Sequence, residues 1–112
     1  MLLRFRRNCM RSEVTVRLAD GREFRSGLDA QAPLAPEAAR AWLDAQFVRL
    51  ECEPLRASGK LLRADQLLVV ARAAGPELLG DASWMAEFAR AASAVLAKPV
   101  VRLDLGTLTV GY

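Results

Sequence analysis

Residues 13–19, Glu-Val-Thr-Val-Arg-Leu-Ala, alternate in character and run straight into Asp20-Gly21. Period-two alternation sets Val14, Val16 and Leu18 on one face and Glu13, Thr15 and Arg17 on the other, the pattern of a half-buried strand. Asp-Gly suits a two-residue type I′ turn, whose central positions both need positive φ. The chain therefore commits early to an antiparallel hairpin, with residues 22–28 returning and Phe24 as their large apolar member.

After two prolines in a linker at 31–36, the period changes. Pro36 fits a first helical position, where its missing N–H costs nothing, and Glu37 sits near the positive end of the helix. Ala39, Trp42, Leu43, Gln46 and Phe47 then fall at helical spacing, with Glu37, Arg40 and Asp44 turned to water. A second helix is marked by Asp81 or Ser83 as cap and an apolar stripe of Trp84, Met85, Phe88, Ala92, Val95 and Leu96, and it stops at Lys98-Pro99.

Between these helices the favoured reading is two strands. Val48 to Glu53 alternates, although a helix continuing to Pro54 is the alternative. Residues 54–65, with Pro54 and Ser58-Gly59-Lys60, read as loop. Leu67-Leu68-Val69-Val70 is a short apolar run with β-branched content, and Gly75-Pro76 lies just beyond it, so a buried strand is the favoured form of residues 66–72, with a helix the alternative that periodicity leaves open. The chain closes with an alternating strand at 100–105, a turn or bulge at Gly106, and a last short strand before Tyr112.

Phe47-Val48-Arg49-Leu50-Glu51 echoes Val100-Val101-Arg102-Leu103-Asp104, each following a Trp-containing amphipathic helix. The expected fold is α+β, a two-layer sandwich with two helices on one face of a mostly antiparallel sheet. Its first form is ferredoxin-like βαββαβ with an added N-terminal hairpin. The alternative, if 48–53 is helical, is two β-hairpins flanking a helical middle.

The net charge of +3 is a local matter. Arg4, Arg6, Arg7 and Arg11 stand in a leader (residues 1–11) without an acid, leaving 12 basic against 13 acidic residues in a single domain at 12–112. The leader is expected to be disordered, or to lie upstream of a true start at Met10. Leu2-Leu3 is too short for a signal peptide, and no run approaches the length of a membrane span. A near-neutral domain disfavours nucleic acid, and two cysteines, one in the leader, fit a reducing cytoplasmic setting. The excess of Arg over Lys, 14 to 2, reads as codon bias ahead of anion binding.

Histidine is absent, which removes Ser–His–Asp and Cys–His catalysis and leaves two cysteines unable to complete a zinc site. No cofactor or metal is expected. Gly75 to Gly80 lacks the Lys-Ser/Thr of a phosphate loop. Cys52, between Glu51 and Glu53, is expected in the core with a raised thiol pKa. Arg49, Glu51, Glu53, Arg102 and Asp104 are the surface candidates for a polar site on the sheet, with cross-strand ion pairing as the simpler role.

From Ala82 to Ala97 the second helix carries only Glu87 and Arg90 as charges. A helix so smooth is able to pack on two sides. The expected function is a small non-catalytic interaction or assembly module, homodimeric or bound to another protein, acting through that helix or an edge strand. The alternative is a small enzyme or ligand-binding domain that uses the carboxylates and arginines of the sheet face.

Overall fold

The computed structural model describes residues 13–26, 34–52, 64–97 and 100–112. The leader, Glu53 and the loop expected at 54–65 up to residue 63 lie outside the described residues. The described residues form, in order, β1 (Thr15–Arg17), β2 (Glu23–Arg25), α1 (Pro36–Arg49), α2 (Ala64–Leu79), α3 (Ala82–Leu96), β3 (Arg102–Asp104) and β4 (Thr109–Gly111). The sheet order is β2-β1-β3-β4. Both hairpins are antiparallel, and β1 pairs with β3 in parallel. A parallel neighbour needs a crossover, and here the whole helical middle supplies it.

The fold is thus α+β, among the described residues three helices on a four-stranded mixed sheet, and its layout is the alternative one of two hairpins flanking helices. The βαββαβ order does not describe it, because both expected inner strands are helical or turn. Residues 48 and 49 are the end of α1, and residues 64–79 form α2.

The first hairpin forms where expected, with a different turn. Leu18 N–H donates to Arg22 O at 2.8 Å and Gly21 N–H to Leu18 O at 3.0 Å, which encloses three loop residues. Gly21 has φ 95°, whereas Asp20 is not among the residues with positive φ. This is the three-residue alternative to the type I′ turn. Asp20 helps close it by accepting from the Arg22 backbone N–H at 3.0 Å and Nε at 2.9 Å.

Helix α1 starts at Pro36 and buries Ala39, Leu43, Gln46 and Phe47. Its end explains the failed strand at 48–53. Cys52 N–H donates to Phe47 O at 2.7 Å and Glu51 N–H to Val48 O at 3.2 Å, the paired bonds of a Schellman stop. Glu51 occupies the left-handed position, φ 61°, and Cys52 is buried. A Cβ in that conformation costs about 1–2 kcal/mol that glycine avoids. Glu51→Gly is therefore expected to raise unfolding stability by about 1 kcal/mol, measurable by urea denaturation.

In α2, Leu67, Val70, Ala71 and Ala74 are buried, spaced as i, i+3, i+4 and i+7, one face of a helix. Gly75 breaks the helix with φ 69° and ψ −179°, a region essentially reserved for glycine. Pro76 restarts it, and a residue before proline is disfavoured in the helical region. Helix α3 is capped by Asp81, whose Oδ1 accepts from Ser83 N–H at 2.9 Å and Trp84 N–H at 3.3 Å. It buries Trp84, Met85, Phe88, Ala89, Ala91, Ala92 and Ser93 between α1 and α2.

The core lies between the helices and one face of the sheet. Phe24, Val16, Leu103 and Val110 form a row across all four strands, with Val16 and Leu103 fully buried and the outer two packed against the core.

Candidate functional site

The opposite face of the sheet is polar because the strands alternate. Register places Arg25, Thr15, Arg102 and Gly111 in one row and Glu23, Arg17, Asp104 and Thr109 in the next. Opposite charges meet in this grid. Arg17 Nη1 lies 3.9 Å from Asp104 Oδ2, Arg102 Nη2 3.7 Å from Glu23 Oε2, and Arg25 Nη2 3.9 Å from Glu23 Oε1. These are long, solvent-washed pairs, worth roughly 0–1 kcal/mol each.

Of the sequence candidates, Arg102 and Asp104 stand on this face. Arg49 and Glu51 do not join them: Arg49 is exposed on the last turn of α1, and Glu51 is exposed in the Schellman stop. The echo between 47–51 and 100–104 therefore has no structural counterpart, since a helix end and a strand present their side chains differently. Glu53 lies outside the described residues.

Asp104 is occupied by its own turn. Its Oδ1 accepts from Gly106 N–H at 2.9 Å and Thr107 N–H at 3.2 Å. The Thr107 bond is the largest influence holding its carboxyl below the usual range. The Gly106 bond and the charges of Arg17 and Arg102 add to it and outweigh the opposing effect of desolvation. A carboxyl moved in that direction stays ionised near neutrality, the reverse of what a general acid requires. Because its folded pKa is lowered, its stabilisation is present above the ordinary carboxylate pKa and lost as pH falls through the lowered value. Asp20, lowered first by the Arg22 backbone N–H, follows the same sign. Asp104→Asn is expected to reduce stability at pH 7, with the gap to wild type closing below about pH 4, the ordinary carboxylate range. Thermal melts from pH 7 down to pH 3 check this.

Cys52 is buried as expected, and burial pushes its thiol pKa up. Its Sγ contacts Leu50 O at 3.7 Å. Among the described residues no three His, Cys, Asp or Glu side chains gather as a metal site, and no helix is long and apolar enough to cross a membrane. A depression of about 410 Å³ on α1 is bordered by Pro36, Glu37, Arg40, Ala41 and Asp44. All five come from one helix, so among the described residues no groups converge there from different elements.

The smooth surface of α3 is consumed inside the molecule: Ala89, Ala91 and Ala92 are fully buried, and Ala86 and Ala94 are half-buried. The two tryptophans serve the core, with ring centres 5.6 Å apart. Trp84 Nε1–H donates to Gln46 Oε1 at 2.9 Å in a buried bond.

The edge strand expected from the sequence carried no residue numbers, and among the described residues β4 forms one edge of the sheet. Leu108 and Tyr112, on either side of β4, are exposed at 54% and 55%, while Val101, exposed at 44%, precedes β3 and donates its N–H to Gly111 O on the inner side of β4. The signal was present in the sequence, because Leu105 to Tyr112 contains no charged residue. At the other edge, β2 carries Glu23 and Arg25 beside Arg22, the sort of charge that protects an edge strand.

No family model, curated protein or solved structure matches this chain. Function must be read from the residues themselves.

Proposed function

We propose that this chain is a small non-catalytic assembly module that associates with itself through the sheet edge formed by β4. The observation that carries the reading is the contrast between the two edges, one charged and one apolar. An uncharged strand that no other strand among the described residues pairs with on its outer side, flanked by exposed Leu108 and Tyr112, has the character of an association edge.

The enzyme or ligand-binding reading is the weaker one. The groups it would use are engaged with one another or with backbone: Arg17 with Asp104, Arg102 and Arg25 with Glu23, and Asp104 with two N–H groups. Association through α3 is weaker too, since that helix already packs against α1 and α2.

A contact limited to short strands is expected to have micromolar affinity. Light scattering coupled to size exclusion, from roughly 5 to 200 μM, is expected to show mass rising from monomer toward dimer. A monomer mass throughout that range overturns the reading.

A further inference from the structure

We infer that β4 pairs antiparallel with β4 of a second copy about a two-fold axis passing beside Val110, an inference that rests on the self-association proposed above. The backbone gives the register. Leu105 N–H donates to Arg17 O and Thr15 N–H to Val101 O, so the Leu105 N–H and the Val101 C=O that flank β3 face β1, and Arg102 and Asp104 turn toward β4. Their partners Gly111 and Thr109 turn inward in response, and Gly111 O accepts from Val101 N–H at 3.0 Å. Backbone direction alternates along a strand, so Val110 between them presents N–H and C=O outward. Among the described residues no strand pairs on that side.

A two-fold axis beside Val110 sets Val110 against its own copy as a hydrogen-bonded pair. The same register brings Thr109 opposite Gly111, and sets Leu108, the left-handed residue (φ 56°) that ends the turn before β4, near Tyr112 of the other copy. The two most exposed large hydrophobics of the described residues, which stand four positions apart, thereby cover each other twice. Because the segment from Leu105 to Tyr112 is uncharged, self-apposition brings no like charges together. The β2 edge would instead bring Arg22, Glu23 and Arg25 against a copy of themselves. Closing the contact isologously leaves a single eight-stranded sheet with no further free β4 edge, so assembly stops at the dimer.

Two variants of the full chain test the register. In Val110→Cys, a hydrogen-bonded antiparallel pair places the two Cα atoms about 5.5 Å apart, inside disulfide range. A mild oxidant such as oxidised glutathione is expected to give a covalent dimer at micromolar concentration. With Cys9→Ser as the common background, which removes the leader thiol, the parent chain and Thr15→Cys on the central strand are expected to give none under the same oxidation. Leu108→Lys, at an exposed hairpin position, is expected to raise the dimer dissociation constant at least about tenfold with an unchanged circular dichroism spectrum. A dimer that survives Leu108→Lys and yields no cross-link from Val110→Cys overturns the β4 pairing while leaving self-association in place. A wild-type chain that stays monomeric overturns both.

Discussion

Phe88→Ala is expected to cost about 3–5 kcal/mol, the range for deleting a fully buried aromatic ring and leaving a cavity. Phe88 is fully buried at the middle of α3 and stacks on Trp84 with ring centres 5.1 Å apart and planes 14° from parallel. Its helix packs against both α1 and α2, so the void would open inside the helical layer. Domains of this size are stable by about 5–15 kcal/mol, and the loss is a large part of that. Urea denaturation followed by tryptophan fluorescence is expected to show a much lower midpoint. Val48→Ala, on α1 but half exposed at 52%, is expected to change stability by less than about 0.5 kcal/mol. Equal effects at the two positions would contradict the packing described.

The buried bond between Gln46 and Trp84 carries the second large effect. Gln46 is 6% exposed, and its Oε1 accepts the indole proton across a gap of 38 residues in sequence. Gln46→Leu removes the acceptor and strands a buried N–H, which costs about 1–3 kcal/mol. Trp84→Phe strands the amide oxygen instead and also loses ring volume. Removing both polar groups leaves neither unsatisfied, so the double variant Gln46→Leu/Trp84→Phe is expected to lose less than the sum of the two singles. A double-mutant cycle of denaturation free energies measures the coupling. Additivity would show that the bond contributes nothing beyond the volume of its two side chains.

Local signals were legible and non-local ones were not. The hairpin at Asp20-Gly21, the cap at Asp81 and the helix that follows each rest on residues within a few positions of one another, and each forms. The turn at Gly21 has a three-residue loop because only one residue adopts positive φ. Helix α2 read as a strand because Leu67 to Val70 draws attention to β-branched residues. Its helical period appears only when Ala71 and Ala74 count as core residues, and an alanine shows its burial only once α3 lies against it. The end of α1 read as a strand because a glutamate, not a glycine, holds the left-handed stop at position 51. Without the glycine, nothing local marks the boundary.

The same division holds for the surface. Arg102 and Asp104 share the polar face of the sheet because they stand two positions apart on β3. Arg49 and Glu51 were grouped with them through a pattern of residue types, and pairing between distant strands does not follow from pattern. That β1 lies parallel to β3, so that β4 becomes an edge, is a fact of tertiary packing. Only then does the charge-free run from Leu105 to Tyr112 become a surface.

Amide hydrogen exchange at single-residue resolution, measured at low and high protein concentration, tests the β4 edge most directly. The account predicts that the Val110 N–H gains protection as concentration rises through the micromolar range, while the amides of Glu23 and Arg25 at the opposite edge do not change. Exchange at Val110 that is independent of concentration, or protection that builds on β2 instead, would contradict it.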